Sequence, residues 1–331
     1  MSVLKTKDTE YLRISGYVKG LENRLICGRI LDAVIDAPDY AAALNVLAEN
    51  GYDCSSADLS ADPEDLLGRQ AAEVYSFFEH NVPDKGLVRV FRIPRDYLNL
   101  KLCVKAEHCG ADAGRFLVPA GRVPAGEFID AVRRRSGLPG LMLRALSDAA
   151  DDSAKIGDPR RVDIVCDRYC FEEMSLEAKA SGYAFVEEYA AQKADAANMS
   201  AFIRLKRAGL PLQMFTESYV RADGCIGVDF FEEFYDKDLA SVAASLPLNS
   251  SLSRGGPDIE DDIKNGRADM IGTRLDRLTV ETLRLTAFGP QVPFSYLLAR
   301  TAELSVLRAV LRGKRRGASS DAVRERLGVS S

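Results

Sequence analysis

The sequence predicts an all-α protein built from three similar helical units. Three observations lead there. Apolar residues recur at helical spacing along most of the chain, alternating strand patterns are few and short, and one acid-to-glycine pattern occurs three times at domain scale. The chain of 331 residues is 47% hydrophobic and 28% charged, which is ordinary globular composition with material for two or three cores.

Taken in order, the first short helix is expected at ILDAVI, from Ile30, and a second over Tyr40–Glu49. Asp62 and Pro63 form a cap and first-turn proline for a long helix, whose Leu67, Ala71, Val74 and Phe78 share one stripe. Leu87 to Ile93 alternates and reads as a short strand or extended linker. Pro94 is expected to open the next helix, and Gly110 to end it. FIDAVR, from Phe128, repeats ILDAVI, and a second short helix spans Leu138 to Ala149. FFEEFY, from Phe230, is a looser third copy, with its second helix over Leu239–Leu246. The run 229–238 reads as an amphipathic helix with its aromatics toward the core. Pro293 opens the last long helix.

The repeated pattern joins an acid to a glycine. Asp96 and Asp195 are each followed by Asn three residues on (Asn99, Asn198) and by Gly fourteen residues on (Gly110, Gly209). Glu303 precedes Gly317 by the same fourteen. Gly121, Val123 and Phe128 share the spacing of Gly224, Ile226 and Phe231. The chain therefore divides into helical repeats over 1–110, 111–210 and 211–331, each of about one hundred residues, an ordinary domain size. On a helix the acid, the amide and the residues toward the glycine lie on one narrow face. Such a stripe packs on neighbouring helices and pins one backbone position with its polar end. The plainer alternative for Asp96 is a first-turn carboxylate near the helix dipole.

Several chemistries lack their residues. There is no GxxxxGK[ST] phosphate loop, so direct nucleotide binding is not expected. Residues 121–126 lack the full dinucleotide pattern and a preceding strand. Cys166 and Cys170 stand four apart, and Cys103, His108 and Cys109 could add ligands. With two histidines and no closed four-ligand set, buried thiols are expected rather than a metal or a Cys-His nucleophile. Catalytic, cofactor-binding and metal residues are accordingly expected to be none. The net charge of −5 argues against a nucleic-acid binder. The N-terminus has no signal-peptide pattern, no stretch is long and apolar enough to span a bilayer, and seven cysteines without a CxxC pair suit the reducing cytoplasm. The basic run Arg312, Lys314, Arg315, Arg316 is either dipole-favoured charge at a helix end or an interface cluster.

Three segments resemble the C (eukaryotic d) subunit family of V-type and A-type rotary ATPases. YLRISGYVKGLENRLICGRILDAVIDAPDYAAALNVLAENGYD looks like its opening helices, and DYLNLKLCVKAEHCG resembles its D-x-x-N helix. GPQVPFSYLLARTAELSVLRAVLRGKRRGASSDAVRERL resembles its C-terminal signature, with the acid at Glu303 and bases at Arg308 and Lys314. Where that signature usually has Asn, this chain has Val306. The resemblance implies a pseudo-threefold funnel without chemistry of its own. It implies the D and F shaft subunits in the cavity, the membrane proteolipid ring beneath, and a cytoplasmic place peripheral to the membrane. The other class left by the residues is a free-standing helical scaffold in a different assembly.

Overall fold

Local chemistry sets several helix ends. The computed structural model describes residues 7–54, 62–156 and 158–328, and it is 74% helical with no strand among them. In chain order the helices are α1 (Leu12–Glu22), α2 (Arg29–Asp36), α3 (Tyr40–Glu49), α4 (Pro63–Asn81), α5 (Gly86–Cys109), α6 (Ala125–Arg134), α7 (Gly140–Ile156), α8 (Arg160–Ser181) and α9 (Ala184–Arg207). They continue with α10 (Leu212–Ser218), α11 (Val228–Phe234), α12 (Leu239–Ala244), α13 (Ser251–Arg254), α14 (Gly256–Lys264), α15 (Ala268–Leu283), α16 (Gln291–Arg315) and α17 (Ser320–Leu327). Asp39 caps α3 by accepting from Ala42 N, and Asp62 caps α4 by accepting from Glu64 N ahead of Pro63. No helix among the described residues is long and apolar enough to cross a membrane.

One expectation fails at Pro94. It does not open a helix; α5 starts at Gly86 and runs through it, and Leu87 to Ile93 forms its first turns. Leu87, Val88, Val90, Phe91 and Ile93 are all buried. A proline forfeits one helical hydrogen bond. Burying five apolar side chains, at about 1.5–3 kcal/mol for each large one, outweighs that loss. With apolar residues buried on several sides of the helix, their spacing imitates alternation.

Contacts divide the chain into two compact units. One runs over Asp84–Thr282. There α8 packs on both α5 and α7, and α9 packs on α8. Lys101–Asp167 at 2.5 Å and Lys105–Asp163 at 2.6 Å tie α5 to α8. The far end of this unit is an aromatic core. Phe202, Phe215 and Phe231 are fully buried and meet with centroids 4.9–5.5 Å apart, as the run 229–238 implied.

The other unit joins the two chain ends, Thr6–Pro83 with Leu283–Ser331. Its centre is α16, which packs on α1, α3 and α4, while α17 packs on α2. The ends are electrically complementary. Residues 6–83 hold 6 Lys or Arg against 14 Asp or Glu, and residues 283–331 hold 9 against 3. Their pairing is specific: Arg308 and Arg312 reach Glu64 at 2.6 and 2.9 Å, Arg315 reaches Asp62 at 3.2 Å, and Arg324 reaches Asp36 at 2.7 Å.

Candidate functional site

The repeated acids lie on α5, α9 and α16, and the three helices end in one way. Gly110, Gly209 and Gly317 have φ of 63°, 65° and 74°, the left-handed region that glycine occupies without penalty. The next residue then bonds the carbonyl five back: Ala111 N to Ala106 O at 2.9 Å, Leu210 N to Leu205 O at 3.1 Å, and Ala318 N to Gly313 O at 2.9 Å. This is the Schellman stop. It places each acid near mid-helix, well past the first turn, so the dipole reading of Asp96 does not hold.

Asp96 and Asn99 are wholly buried and grip the loop before α6. Asp96 Oδ1 accepts from Arg122 N at 2.8 Å and Val123 N at 3.3 Å, and Oδ2 accepts from Arg122 Nε at 2.6 Å. Arg122 also donates to Glu173 at 2.5 Å, and Tyr97 OH donates to the other Glu173 oxygen at 2.9 Å. Asn99 clasps Val118, donating to its carbonyl at 2.9 Å and accepting from its N–H at 2.8 Å.

Asp195 and Asn198 repeat the grip on the loop before α11. Asp195 accepts from Cys225 N at 3.0 Å and Ile226 N at 3.1 Å. Asn198 clasps Val220 at 3.1 and 2.8 Å. Burial pushes both aspartates above the usual carboxylate range; Arg122 and two backbone N–H groups oppose this at Asp96, and the Cys225 and Ile226 N–H groups oppose it at Asp195.

Glu303 makes the third grip, and its target is the other end of the chain. Its Oε1 accepts from Ile26 N, in the loop before α2, and from Tyr52 OH, both at 2.9 Å. Arg300 Nη1 donates to Oε2 at 2.8 Å and to Tyr52 OH at 2.7 Å, and its Cζ lies 4.8 Å from the Tyr52 ring centroid. Burial, then the Glu303 charge, pushes the Tyr52 hydroxyl far above its ordinary range, so it stays a donor. Val306, where the other helices have Asn, supplies no amide for a second clasp.

The shared glycine spacing now has a cause. A Cβ on Gly121 would stand 2.3 Å from Asp96 Oδ1, and one on Gly224 would stand 2.4 Å from Asp195 Oδ1. Each loop lies against the carboxylate because its side chain is missing. Two residues before Ile26 stands Arg24, and there the acid is Glu, one methylene longer. The longer arm is expected to suit a loop that carries side chains where Gly121 and Gly224 carry none. Gly121→Ala and Gly224→Ala are therefore expected to cost about 2–3 kcal/mol each, through overpacking and lost buried hydrogen bonds. Gly126→Ala, at a helical position with open space around it, should be neutral or stabilising. Urea midpoints of the three variants check this; equal midpoints would remove the close-approach argument.

The basic residues are placed differently from an open cluster. Arg308 and Arg312 share Glu64, Arg315 pairs with Asp62, and Lys314 is 6% exposed and donates to Ser320 Oγ at 3.1 Å. Arg316 is exposed at the end of α16. The structure also adds residues that sequence reading passed over: Arg122, Glu173, Tyr52 and Arg300. Arg122 lies inside the Gly121–Gly126 run, whose repeat in Gly224 to Ile226 was the available signal. Cys103, Cys166 and Cys170 are buried, and burial pushes the first two thiols up to about 11 and about 12. His108 bonds Val104 O within its own helix at 2.9 Å.

These grips tie distant segments together through buried acids. The family profile described as ATP synthase (C/AC39) subunit matches residues 14–326, from α1 through α17. The chain belongs to the ATP synthase (C/AC39) subunit family. The C subunit of the V-type sodium ATPase of Enterococcus hirae is 20% identical, over 96% of this chain and 98% of its own length. The C/AC39 match takes in all three acid helices and Ile26, Tyr52 and Arg300, the three partners of Glu303. It agrees with the resemblance carried by the opening helices, the D-x-x-N helix and the C-terminal signature. The family is a structural subunit of V/A-type ATPases, and the all-α fold fits it.

Proposed function

We propose that this chain is a non-catalytic central-stalk adaptor of a V/A-type rotary ATPase. It joins the shaft, made of the D and F subunits, to the membrane proteolipid ring and so serves ATP-linked H+ or Na+ transport. The repeats 1–110, 111–210 and 211–331 form a pseudo-threefold funnel, cytoplasmic and peripheral to the membrane. The observation that carries this reading is the cyclic order of the three grips. The acid of the first repeat holds the opening loop of the second, that of the second holds the loop of the third, and Glu303 of the third holds Ile26 of the first. A part that passes torque must not slip or splay. Buried, charge-assisted bonds between successive repeats, with the last returning to the first, supply that stiffness.

The same observation favours a structural over a catalytic use of the acids. A catalytic carboxylate needs a free lone pair facing substrate. These carboxylates are buried, and each points two or three of its hydrogen bonds at the protein itself. Affinity purification from detergent-solubilised membranes is the test. The tagged chain should bring down the shaft subunits, the proteolipid and the nucleotide-hydrolysing head, while the chain purified alone should show no ATP turnover. Recovery without the ring and the shaft, or turnover abolished by a point substitution in this chain, would overturn the proposal.

A further inference from the structure

The start of α8, the end of α9 and the short helix α10 frame a cavity of about 340 Å³. Its size falls within the range of small-ligand pockets, about 300–1,000 Å³. Ile164 of α8, Ala201 and Leu205 of α9 and Met214 of α10 give it apolar surface, and each is only half-buried. Ala201 and Leu205 also pack on the aromatic core behind them, which holds this lining in place. Met214 is its adaptable member, since an unbranched, polarisable side chain follows ligands of varied shape.

The charges around this lining are not equivalent. Three acids line the cavity, Asp158, Asp163 and Glu217, and each has a cation within the fold. Asp158 pairs with Arg160 at 2.9 Å, Asp163 with Lys105 at 2.6 Å, and Glu217 with Arg161 at 2.5 Å. Arg161 also holds Asp152 at 2.8 Å, so one guanidinium ties α10 and α7 to α8. Arg204 differs. It lines the cavity, but its ion pair with Asp269 is 3.7 Å long, with the two side chains 60% and 93% exposed. So long and solvated a pair contributes little. Among the described lining residues, Arg204 is the cation that the fold leaves available to a ligand.

We propose that this cavity binds a small monocarboxylic acid with a flexible apolar body, of the fatty-acid kind. The apolar lining takes the body. Arg204, whose planar fork matches a carboxylate in two-point contacts, takes the head. One negative charge suits the rim better than the two of a phosphate. A dianion there would meet Asp158, Asp163 and Glu217, whose cations are already engaged. The site is independent of the adaptor reading, because all of its residues belong to this chain.

Isothermal titration of the full chain with decanoate, decanol and decyl phosphate, each below its micellar concentration, tests this. Decanoate should saturate at one per chain and bind about three- to fivefold tighter than decanol, the size of one exposed charge contact. Decyl phosphate should bind no tighter than decanoate. Arg204→Gln should erase the preference for decanoate and leave decanol binding as it was. Ala201→Leu, whose larger side chain occupies the cavity, should weaken both ligands by about tenfold or more, the scale of overfilling a packed space. Met214→Gln, of similar size but polar, should weaken both as well. Thermal midpoints of the variants report whether each is folded, and if Ala201→Leu is not, Met214→Gln decides. Absence of saturable decanoate binding overturns the proposal. So does affinity that the folded lining variants leave unchanged, a decanoate preference that survives Arg204→Gln, or tighter binding of decyl phosphate than of decanoate.

Discussion

Glu303→Ala is expected to lower the unfolding free energy by about 3–5 kcal/mol, the range for removing one partner of a buried ion pair. Three groups lose their acceptor at once: the Ile26 N–H, the Tyr52 hydroxyl and the Arg300 guanidinium. Arg300 has an 11% exposed side chain, so its charge would stay largely buried without its carboxylate. Two further substitutions separate length from charge. Glu303→Gln keeps an oxygen for Ile26 and Tyr52 but turns a donor toward Arg300, and should fall between wild type and the alanine variant. Glu303→Asp keeps the charge and shortens the arm by one methylene. At the other two grips an aspartate suffices because Gly121 and Gly224 let the loop approach. Here Arg24 stands in that place, so the aspartate variant should be destabilised, and Arg24→Gly added to it should recover part of the loss. Urea unfolding of the four variants checks the series. If Glu303→Asp matches wild type, or Arg24→Gly gives no recovery, the arm-length explanation is wrong.

How far these contacts were legible in the sequence depended on their reach. Helix ends were readable wherever a nearby residue sets them. Asp62 with Pro63 marks the start of α4, and Gly110, Gly209 and Gly317 mark the three stops. The start of α5 was not readable, because burial rather than propensity carries that helix through Pro94. The acid-amide pattern identified which residues matter, and the glycine spacing identified the loops. Neither could say that one touches the other. Asp96 and Arg122 are 26 residues apart, but Glu303 and Ile26 are 277 apart, and only the fold brings them together. The same distance hid the fate of the basic run. Its local sequence reads as exposed positive charge, while Glu64 and Asp62, more than two hundred residues earlier, take up Arg308, Arg312 and Arg315. Val306 was visible as a missing amide, and the Tyr52 and Arg300 bonds that surround Glu303 at that junction were not.

The second large effect concerns the machine rather than the chain. Catalytic residues for ATP hydrolysis belong to other subunits in the adaptor reading, so the soluble head should keep hydrolysing ATP without this protein. Ion transport should not survive, because rotation then has no path from the shaft to the ring. The distinction is sharp, since a catalytic or chaperoning subunit would take both activities down together. Complementary charge between subunits can give such a joint its orientation. The most direct measurement is made in vesicles reconstituted with the purified ATPase, with and without this subunit, following ATP hydrolysis and ion uptake in the same preparation. The account predicts hydrolysis near its full rate and uptake at background when the subunit is absent, with uptake restored on adding it back. Uptake that persists without the subunit, or hydrolysis by the head that vanishes with it, would contradict the account.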